Sequence, residues 1–332
     1  MTLKSIRLSH FRCHDFFSAD FSPTFNLIEG PNGRGKTALL EAIYYMSRLR
    51  SFRTSNTREL IQYQNLGFSI RVQYGDNILR THWEPEKKEL WWNATLVKAI
   101  DFLGTFSCVA MTTGDIELCR EISEMRRFLS QLLTQLDKKK LIALLRYYKI
   151  LKERNACLRE KRFSVLPQLT EQLEKAGRPL QRSLYYLSQL LGKIATFFYE
   201  KISGSREILR LSYHPNRWDH PLEIEIQRSH SLQGFHRDQI TLLLNEKSLA
   251  LYGSEGQQRS AAVALKLAEI FLLHRSQGKA PIILVDDIWG ELDPQRQQTL
   301  LQLPQAPYQI FVATTSAEVW EKQLPPYQKI TL

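Results

Sequence analysis

The sequence predicts an α/β fold with a buried parallel sheet, interrupted by a mostly helical and basic module. Two continuous apolar runs, Pro281–Val285 and Ile310–Ala313, are typical of central strands in a parallel sheet. A glycine-rich turn over residues 30–37 separates an apolar run from a helical pattern. Residues 120–182 combine leucines at helical spacing with 16 basic and 7 acidic residues, which gives this segment a net charge of +9.

Composition restricts the class of protein. The chain has 332 residues and a formal net charge of +11, which makes a polyanion a suitable partner. A hydrophobic content of 43% excludes a disordered or collagen-like chain. The four cysteines lack Cys-x-x-Cys spacing, and the sequence has neither a signal-peptide core in Met1–Phe17 nor an apolar run that could span a membrane. We therefore expect a cytoplasmic protein with reduced thiols.

The remaining elements follow from local patterns. Apolar residues alternate at positions 68–74 and again at 222–226, and each pattern predicts a half-buried strand. Pro167 and the Gly177-Arg178-Pro179 stretch are expected to divide the basic segment into at least three helices. The predicted domains are an α/β head over residues 1–115 and 206–332 and an inserted helical basic domain over residues 116–205.

Residues 30–37 satisfy the phosphate-binding Walker A pattern. Phe25–Ile28 reads as the preceding strand and Ala38–Tyr45 as the following helix, so the glycines direct backbone N–H groups toward phosphate oxygens at a helix N-terminus. Lys36 is predicted to neutralise the β- and γ-phosphates of a nucleoside triphosphate, and Thr37 to bind Mg²⁺. The predicted nucleotide-binding residues are Gly30, Asn32, Gly33, Arg34, Gly35, Lys36, Thr37 and Ala38.

An acidic pair follows the apolar run that ends at Val285. Asp286 is the predicted partner of Mg²⁺ together with Thr37, and Asp287 stands where a second carboxylate orients the attacking water. Lys36 and Asp287 are accordingly the predicted catalytic residues. The alternative is an acidic strand end that only caps the next turn.

A third motif, Ser254-Glu255-Gly256-Gln257, begins an amphipathic helix about thirty residues before the acidic pair. Its backbone donors and helix dipole favour an anion, and we predict that Ser254, Gly256 and Gln257 contact a nucleotide held by another subunit. The alternative is a plain N-capped helix.

The basic segment suggests a surface for a phosphate backbone. Its candidate DNA-binding residues are Lys138, Lys139, Lys140, Arg146, Lys149 and Lys152. No base-reading motif accompanies them, so binding is expected to be insensitive to sequence and weakened by salt. The alternative is a solvated helix face.

The order of these motifs resembles the ATPase heads of the ABC and SMC superfamily. Shorter matches resemble the RecF family of bacterial recombinational-repair ATPases over nearly the whole chain. These matches are Leu39–Ile43, Ser51–Ser55, Glu59–Ile61, Arg126–Leu129, Gly234–Asp238 and Gly256–Gln258. The chain departs from the family at Phe235, where proline is usual, and at Glu255, where a basic residue is common. The switch histidine of transporter ATPases is missing near Thr314.

The resemblance implies an ABC/SMC-type ATPase head with a mixed P-loop sheet, and it implies ATP and Mg²⁺ as ligands. It also implies an ATP-dependent homodimer that clamps double-stranded DNA near junctions with single strands, with slow, DNA-stimulated hydrolysis for release. The implied partners are RecR, acting with RecO, and the RecA recombinase, which places the protein at the nucleoid. Two alternatives stay open: a non-catalytic, ATP-liganded DNA scaffold, and an ATPase subunit of another system such as a transporter.

Overall fold

The computed structural model describes residues 1–286, 308–315 and 326–332 and divides the chain into two units. The first unit contains Met1–Gly114 and Leu273–Leu332, and the second contains Asp115–Leu272. The domain limits predicted at residues 116 and 205 stay predictions. No helix in the described ranges is long and apolar enough to cross a bilayer.

The first unit contains an antiparallel sheet with the strand order β2-β1-β4-β5-β6-β7. Its strands are β1 (Leu3–Phe11), β2 (His14–Asp20), β4 (Phe68–Tyr74), β5 (Asn77–Glu84), β6 (Lys87–Trp92) and β7 (Thr95–Leu96). The alternation predicted over residues 68–74 is confirmed, because β4 buries every second side chain.

A second, parallel sheet in the same unit has the order β14-β3-β13-β12-β8. Its strands are β3 (Phe25–Glu29), β8 (Cys108–Thr112), β12 (Ile282–Asp286), β13 (Ile310–Thr314) and β14 (Tyr327–Thr331). Strands β12 and β13 bury four consecutive residues each, which confirms the prediction of central parallel strands. The carboxyl ends of β3 and β12 therefore lie at the same edge of this sheet.

Helix α1 (Lys36–Arg48) packs into one apolar core with both sheets. Every residue from Ala38 to Ser47 is buried, which explains why this stretch is apolar apart from Glu41 and Ser47. The predicted strand-turn-helix around residues 30–37 is confirmed, with β3 before the turn and α1 after it. A short helix, α2 (Ala99–Phe102), completes the helices described in residues 1–114.

The second unit is mainly helical. Its helices are α3 (Glu117–Arg120), α4 (Ile122–Leu136), α5 (Lys138–Arg159), α6 (Leu166–Ser203), α7 (Leu222–Arg228), α8 (Leu249–Tyr252) and α9 (Glu255–Gln277), the last of which continues beyond Leu272. Strands β9 (Leu209–His214), β10 (Gln239–Leu244) and β11 (Lys247–Ser248) form an antiparallel sheet in the order β11-β10-β9. Helix α6 packs against both α5 and β9.

The predicted helix break at Gly177-Arg178-Pro179 is wrong. Helix α6 begins near Pro167, as expected, but continues through Pro179 to Ser203. An internal proline removes one backbone hydrogen bond and costs about 3 kcal/mol. Burial of the leucines along α6 offsets that cost, because each buried leucine contributes about 1.5–3 kcal/mol. The chain breaks instead at Asp137, whose side chain accepts a hydrogen bond from the Lys139 N–H and caps α5.

The strand predicted over Leu222, Ile224 and Ile226 is also wrong, because this segment forms helix α7. Glu225 is completely buried and accepts a hydrogen bond from the equally buried Arg154 guanidinium of α5. It also accepts one from the Leu232 backbone N–H at 2.7 Å. The segment therefore buries a carboxylate that the local alternation places on the solvent side of a strand, and the Arg154 guanidinium supplies its counter-charge.

Candidate functional site

The Walker A turn lies between β3 and α1, at the carboxyl edge of the parallel sheet. Gly30 is buried where a Cβ atom would lie 2.7 Å from the carbonyl oxygen of Leu332. Gly33 and Gly35 have φ angles of 82° and 98°, in the left-handed region that favours glycine. The glycine spacing read from the sequence therefore matches three separate steric demands of the turn.

Lys36 is buried and folds back over this turn. Its ammonium group donates hydrogen bonds to the carbonyl oxygens of Gly30 and Pro31, at 2.7 and 3.0 Å. The first backbone hydrogen bond of α1 runs from the Leu39 N–H to the Gly35 carbonyl, so the N–H groups of the preceding residues have no intrahelical partner. These donors, the positive helix terminus and the ammonium group form a cradle suited to phosphate oxygens. Asn32, Gly33 and Arg34 are exposed at its rim, and Ala38 is buried in the first turn of α1.

Thr37 and Asp286 lie next to each other although 249 positions separate them in the chain. The Thr37 hydroxyl donates a hydrogen bond to Asp286 Oδ1 at 2.9 Å. A hydroxyl and a carboxylate are oxygen ligands of the kind that Mg²⁺ prefers. Within residues 1–286, 308–315 and 326–332, no cluster of His, Cys, Asp and Glu could hold a metal by itself. The pair therefore fits a cation that takes its other ligands from phosphate and water. Asp287, the predicted water-orienting residue, lies outside the described residues.

An ion pair between the partly buried Arg12 and the fully buried Glu41 supports the cradle from behind, and the local sequence patterns do not predict it. Arg12, in the turn between β1 and β2, donates two hydrogen bonds of 2.7 Å to the Glu41 carboxylate of α1. This hydrogen bonding raises the pKa of Arg12 above its ordinary value. Glu41 is fully buried and also accepts a hydrogen bond from Ser51. A carboxylate inside the apolar run Leu39–Ile43 is the signal that could have predicted a buried partner.

His14, the first residue of β2, contacts the cradle directly. Its Nε2 atom donates to the Gly35 carbonyl at 3.2 Å, and a Cβ on Gly35 would lie 2.5 Å from this nitrogen. The turn from β1 to β2 and the Walker A turn therefore fit together only if residue 35 is glycine.

The motif Ser254-Glu255-Gly256-Gln257, which occupies the place of the signature motif of ABC and SMC ATPases, forms a reciprocal cap in the second unit. The Ser254 hydroxyl accepts a hydrogen bond from the Gln257 N–H at 3.2 Å, and Gln257 Oε1 accepts one from the Ser254 N–H at 2.9 Å. This arrangement is a capping box. In a single chain, the motif therefore forms the N-capped helix that the sequence allowed as the alternative to a nucleotide contact. Gln257 also donates to Glu207 at 3.1 Å. Gly256 lies in the first turn of α9, and Glu255 pairs with Arg259 one turn later.

The candidate DNA-binding residues occupy two faces of α5. At 3.6 residues per turn, Lys138, Lys139, Arg146, Lys149 and Lys152 lie within an arc of about 140°. All five are exposed, and we call this arc the α5 stripe. Lys140 lies on a different face and lines a groove with residues of α6. Exposed Ile142 and Leu145 lie within the same arc as the stripe.

The Gly234–Asp238 turn, which carries one of the family matches, is built into the core of the second unit. Phe235 is fully buried and packs edge-on against Tyr147, with ring centroids 5.4 Å apart. Burial lowers the pKa of His236 to about 4 and raises the pKa of Asp238 above its ordinary value. Asp238 accepts hydrogen bonds from the Tyr213 hydroxyl and the Gln181 amide. The turn has the contacts of a structural element.

Comparison with known proteins extends these observations. Residues 2–77 match the model of the RecF/RecN/SMC N-terminal domain. The chain is 33% identical over 350 residues to the DNA replication and repair protein RecF of Enterococcus faecalis, an alignment that covers 96% of this chain and 93% of the relative. It is 32% identical to the RecF protein of Rippkaea orientalis, with 97% and 95% of the two chains covered.

Solved structures give the same result. The chain is similar to a structure described as the recombination mediator protein RecF-ATP in the RecFOR pathway, with a TM-score of 0.87, 29% identity and coverage of 96% and 92% of the two chains. An Smc head domain from Pyrococcus furiosus has a TM-score of 0.54 at 16% identity, with 95% and 90% covered, and so shares the fold. The fold is that of an ABC/SMC-type ATPase head, and the chain belongs to the RecF family.

Proposed function

We propose that this chain is an ATP-dependent DNA-binding protein of replication and recombinational repair. In the proposed cycle, Mg-ATP joins two copies into a dimer that clamps double-stranded DNA near a single-strand junction. Slow hydrolysis then releases the DNA. The observation that carries this proposal is the contact between Thr37 and Asp286 beside the buried Lys36, because it assembles cation and phosphate ligands at one edge of the sheet.

Each residue of the cradle has a proposed role. The N–H groups of residues 33–38 hold phosphate oxygens, and Lys36 exchanges its two carbonyl acceptors for the β- and γ-phosphates. Thr37 and Asp286 hold Mg²⁺, which would supply charge neutralisation for phosphoryl transfer. Asp287 orients the attacking water.

The second half of the site is proposed to come from another copy. Ser254, Gly256 and Gln257 begin a long helix whose N-terminus favours an anion. The Ser254 hydroxyl accepts a hydrogen bond in the cap, so its proton is free to be donated to a γ-phosphate oxygen. This geometry supports a trans contact, in which Ser254 of one copy donates to the γ-phosphate held by another copy while the capping box stays intact.

Duplex DNA is proposed to bind along the α5 stripe. Its five cations are exposed, and no carboxylate in the described part of the chain pairs with Lys139, Arg146, Lys149 or Lys152. Lys140 faces elsewhere, so the proposal rests on the other five residues. The names of the relatives support work in DNA replication and repair, and we infer cytoplasmic action at the nucleoid together with RecO, RecR and RecA.

Affinity for duplex DNA tests the proposal. Fluorescence anisotropy of a labelled duplex should show tight binding only with Mg-ATP, falling steeply as salt rises. Reversing Lys139, Lys149 and Lys152 to Glu should abolish binding, whereas reversing Lys175 and Lys193, which lie on α6, should leave most of it. Binding that is independent of both ATP and salt would refute the proposal.

Turnover separates this function from a non-catalytic scaffold. A scaffold is favoured by one feature of the sequence, since Asp287 is one methylene shorter than the glutamate that usually follows the Mg²⁺-binding aspartate, here Asp286. We expect slow hydrolysis that duplex DNA accelerates and that Asp287→Asn removes without loss of ATP binding. No turnover above that of Asp287→Asn would favour the scaffold.

A further inference from the structure

Helix α6 and the segment after β9 border an open groove of about 960 Å³ in the second unit. This volume is at the upper end of the roughly 300–1,000 Å³ typical of ligand pockets. Its lining is rich in tyrosine, tryptophan and arginine. The lining includes four cations, Lys140, Arg178, Arg182 and Arg217, together with Tyr185, Tyr186, Tyr213, Trp218 and Asp219.

The groove has a positive charge that its own carboxylates do not neutralise. Arg178 is paired with Glu174 and Arg217 with Asp219, but both pairs are exposed and therefore weak. Neither Arg182 nor Lys140 has a carboxylate partner in the described part of the chain. An anionic ligand can therefore pair with Arg182 and Lys140. Arg178 and Arg217 are also accessible to it, because their exposed ion pairs are weak.

The Trp218 side of the groove is preformed. Trp218 is held where a Cβ on Gly177 or Gly234 would lie 2.6 or 2.7 Å from its ring. Its indole N–H donates to the Gln181 side chain at 2.9 Å. Tyr185 and Tyr186 are 46% and 64% exposed on the adjoining helix face. The Trp218 ring is therefore fixed before a ligand binds, which reduces the entropy cost of binding, and the two tyrosines add exposed aromatic surface beside it.

The orientation of the rings favours a peptide over a single nucleic acid strand. The planes of Tyr185 and Tyr186 cross at 71°, and those of Tyr185 and Tyr213 cross at 63°. Successive bases stack on aromatic faces and follow a track of cations along the backbone. Rings crossed at these angles do not present parallel faces on which successive bases could stack. Tyrosine, tryptophan and arginine are also the residues that dominate binding energy in protein interfaces.

We propose that this groove binds an acidic peptide segment of a partner protein, with one aromatic or long aliphatic side chain anchored among the tyrosine rings and Trp218. Carboxylates of the peptide pair with Arg182 and Lys140. This interaction needs neither ATP nor DNA, so it stands or falls separately from the proposed clamp.

Peptide display on the intact protein tests the proposal. A library of random short peptides is selected on the wild-type chain and counter-selected on Arg182→Ala/Tyr186→Ala, which alters only exposed side chains. The expected result is enrichment of sequences rich in Asp and Glu that contain one large apolar residue. Failure to enrich such sequences would overturn the proposal.

Affinity of an enriched peptide then locates the site. By anisotropy, Arg182→Ala/Tyr186→Ala should weaken binding about ten-fold or more, and Tyr186→Phe should retain it. The matched control is Phe197→Ala/Lys201→Ala, an exposed ring and cation 5.7 Å apart on the same helix, which should change affinity less than about two-fold. Equal weakening by both double variants would contradict the assignment. The assignment would also be contradicted if Arg182→Ala/Tyr186→Ala lost affinity for labelled oligo(dT) but kept its affinity for the peptide.

Discussion

The two halves of the proposed nucleotide site are stabilised in different ways. The Walker A half depends on contacts between residues far apart in the chain, including Thr37 with Asp286 and Arg12 with Glu41. The signature half depends on a local cap between Ser254 and Gln257, three residues apart. The first half is therefore preorganised by a buried core, whereas the second is an exposed helix start whose donors are satisfied locally. Substitutions should therefore affect the two halves differently. Those in the Walker A half should lower the stability of the whole fold, whereas those in the signature half should mainly change the helix cap and the proposed trans contact.

The largest expected effect is the loss of the ion pair behind the cradle. Arg12→Met leaves the fully buried Glu41 carboxylate without its guanidinium partner and should lower the free energy of unfolding by about 3 kcal/mol. Chemical denaturation of the wild type and variant measures this change. Arg12→Met/Glu41→Leu should regain much of the loss, and an exposed pair broken by Lys175→Ala should cost less than about 0.5 kcal/mol. An equal loss in Arg12→Met and Lys175→Ala would show that the core does not support this half.

Removal of the cradle ammonium comes next. Lys36→Met should weaken ATP binding about 100-fold, because charge-assisted hydrogen bonds to phosphate are lost while the apolar stem is kept. Titration with a fluorescent ATP analogue measures the affinity. Lys4→Met, at a half-exposed lysine paired with Asp76, is the control and should leave affinity unchanged. Unchanged affinity in Lys36→Met would exclude the cradle as the nucleotide site.

The signature half can be divided into its cap and its proposed trans contact. Ser254→Ala should cost about 1 kcal/mol of stability, because it removes the hydroxyl that accepts from the Gln257 N–H. Ser254→Asp restores the cap but places a negative charge where a γ-phosphate is proposed to bind. Its unfolding should match the wild type in denaturant, while ATP-dependent association is lost. Normal association by Ser254→Asp would refute the trans contact.

A pH dependence is expected in the second unit, and it develops only as the medium becomes acidic. The pKa of His236 is lowered to about 4 by burial, against about 6.5 in an unfolded chain. Between these values the unfolded state binds a proton that the folded state does not, so stability falls as pH decreases from about 6.5 to about 4. Comparison of denaturant midpoints at several pH values should show a shallower decline for His236→Gln. The same substitution at exposed His220 is the control, and identical slopes in both variants would contradict the assignment.

Local patterns were sufficient for much of the fold. The parallel strands, the Walker A turn and α1 follow from apolar runs and glycine spacing, because these features are encoded within a few consecutive residues. The proximity of Thr37 and Asp286 could also be anticipated, since both follow strands of one parallel sheet. The arc of cations on α5 follows from helical periodicity, provided that residues 138–152 belong to one helix.

Long-range pairing accounts for the failures. Helix α7 alternates apolar and acidic residues like a strand, and its buried Glu225 has its ionic partner, Arg154, 71 positions away in the chain. Helix α6 continues through Pro179 because of packing that the sequence does not display. The pairing of Arg12 with Glu41 joins a hairpin turn to a helix, and no short motif contains both residues.

Sedimentation velocity tests the central claim most directly, namely that ATP joins two half-sites from separate copies. With Mg-ATP and duplex DNA, the wild type and Asp287→Asn should sediment as dimers, while Lys36→Met and Ser254→Asp remain monomers. Without nucleotide, all four proteins should sediment as monomers. A wild-type protein that binds ATP and stays monomeric, or that forms the same dimer without nucleotide, would contradict the account.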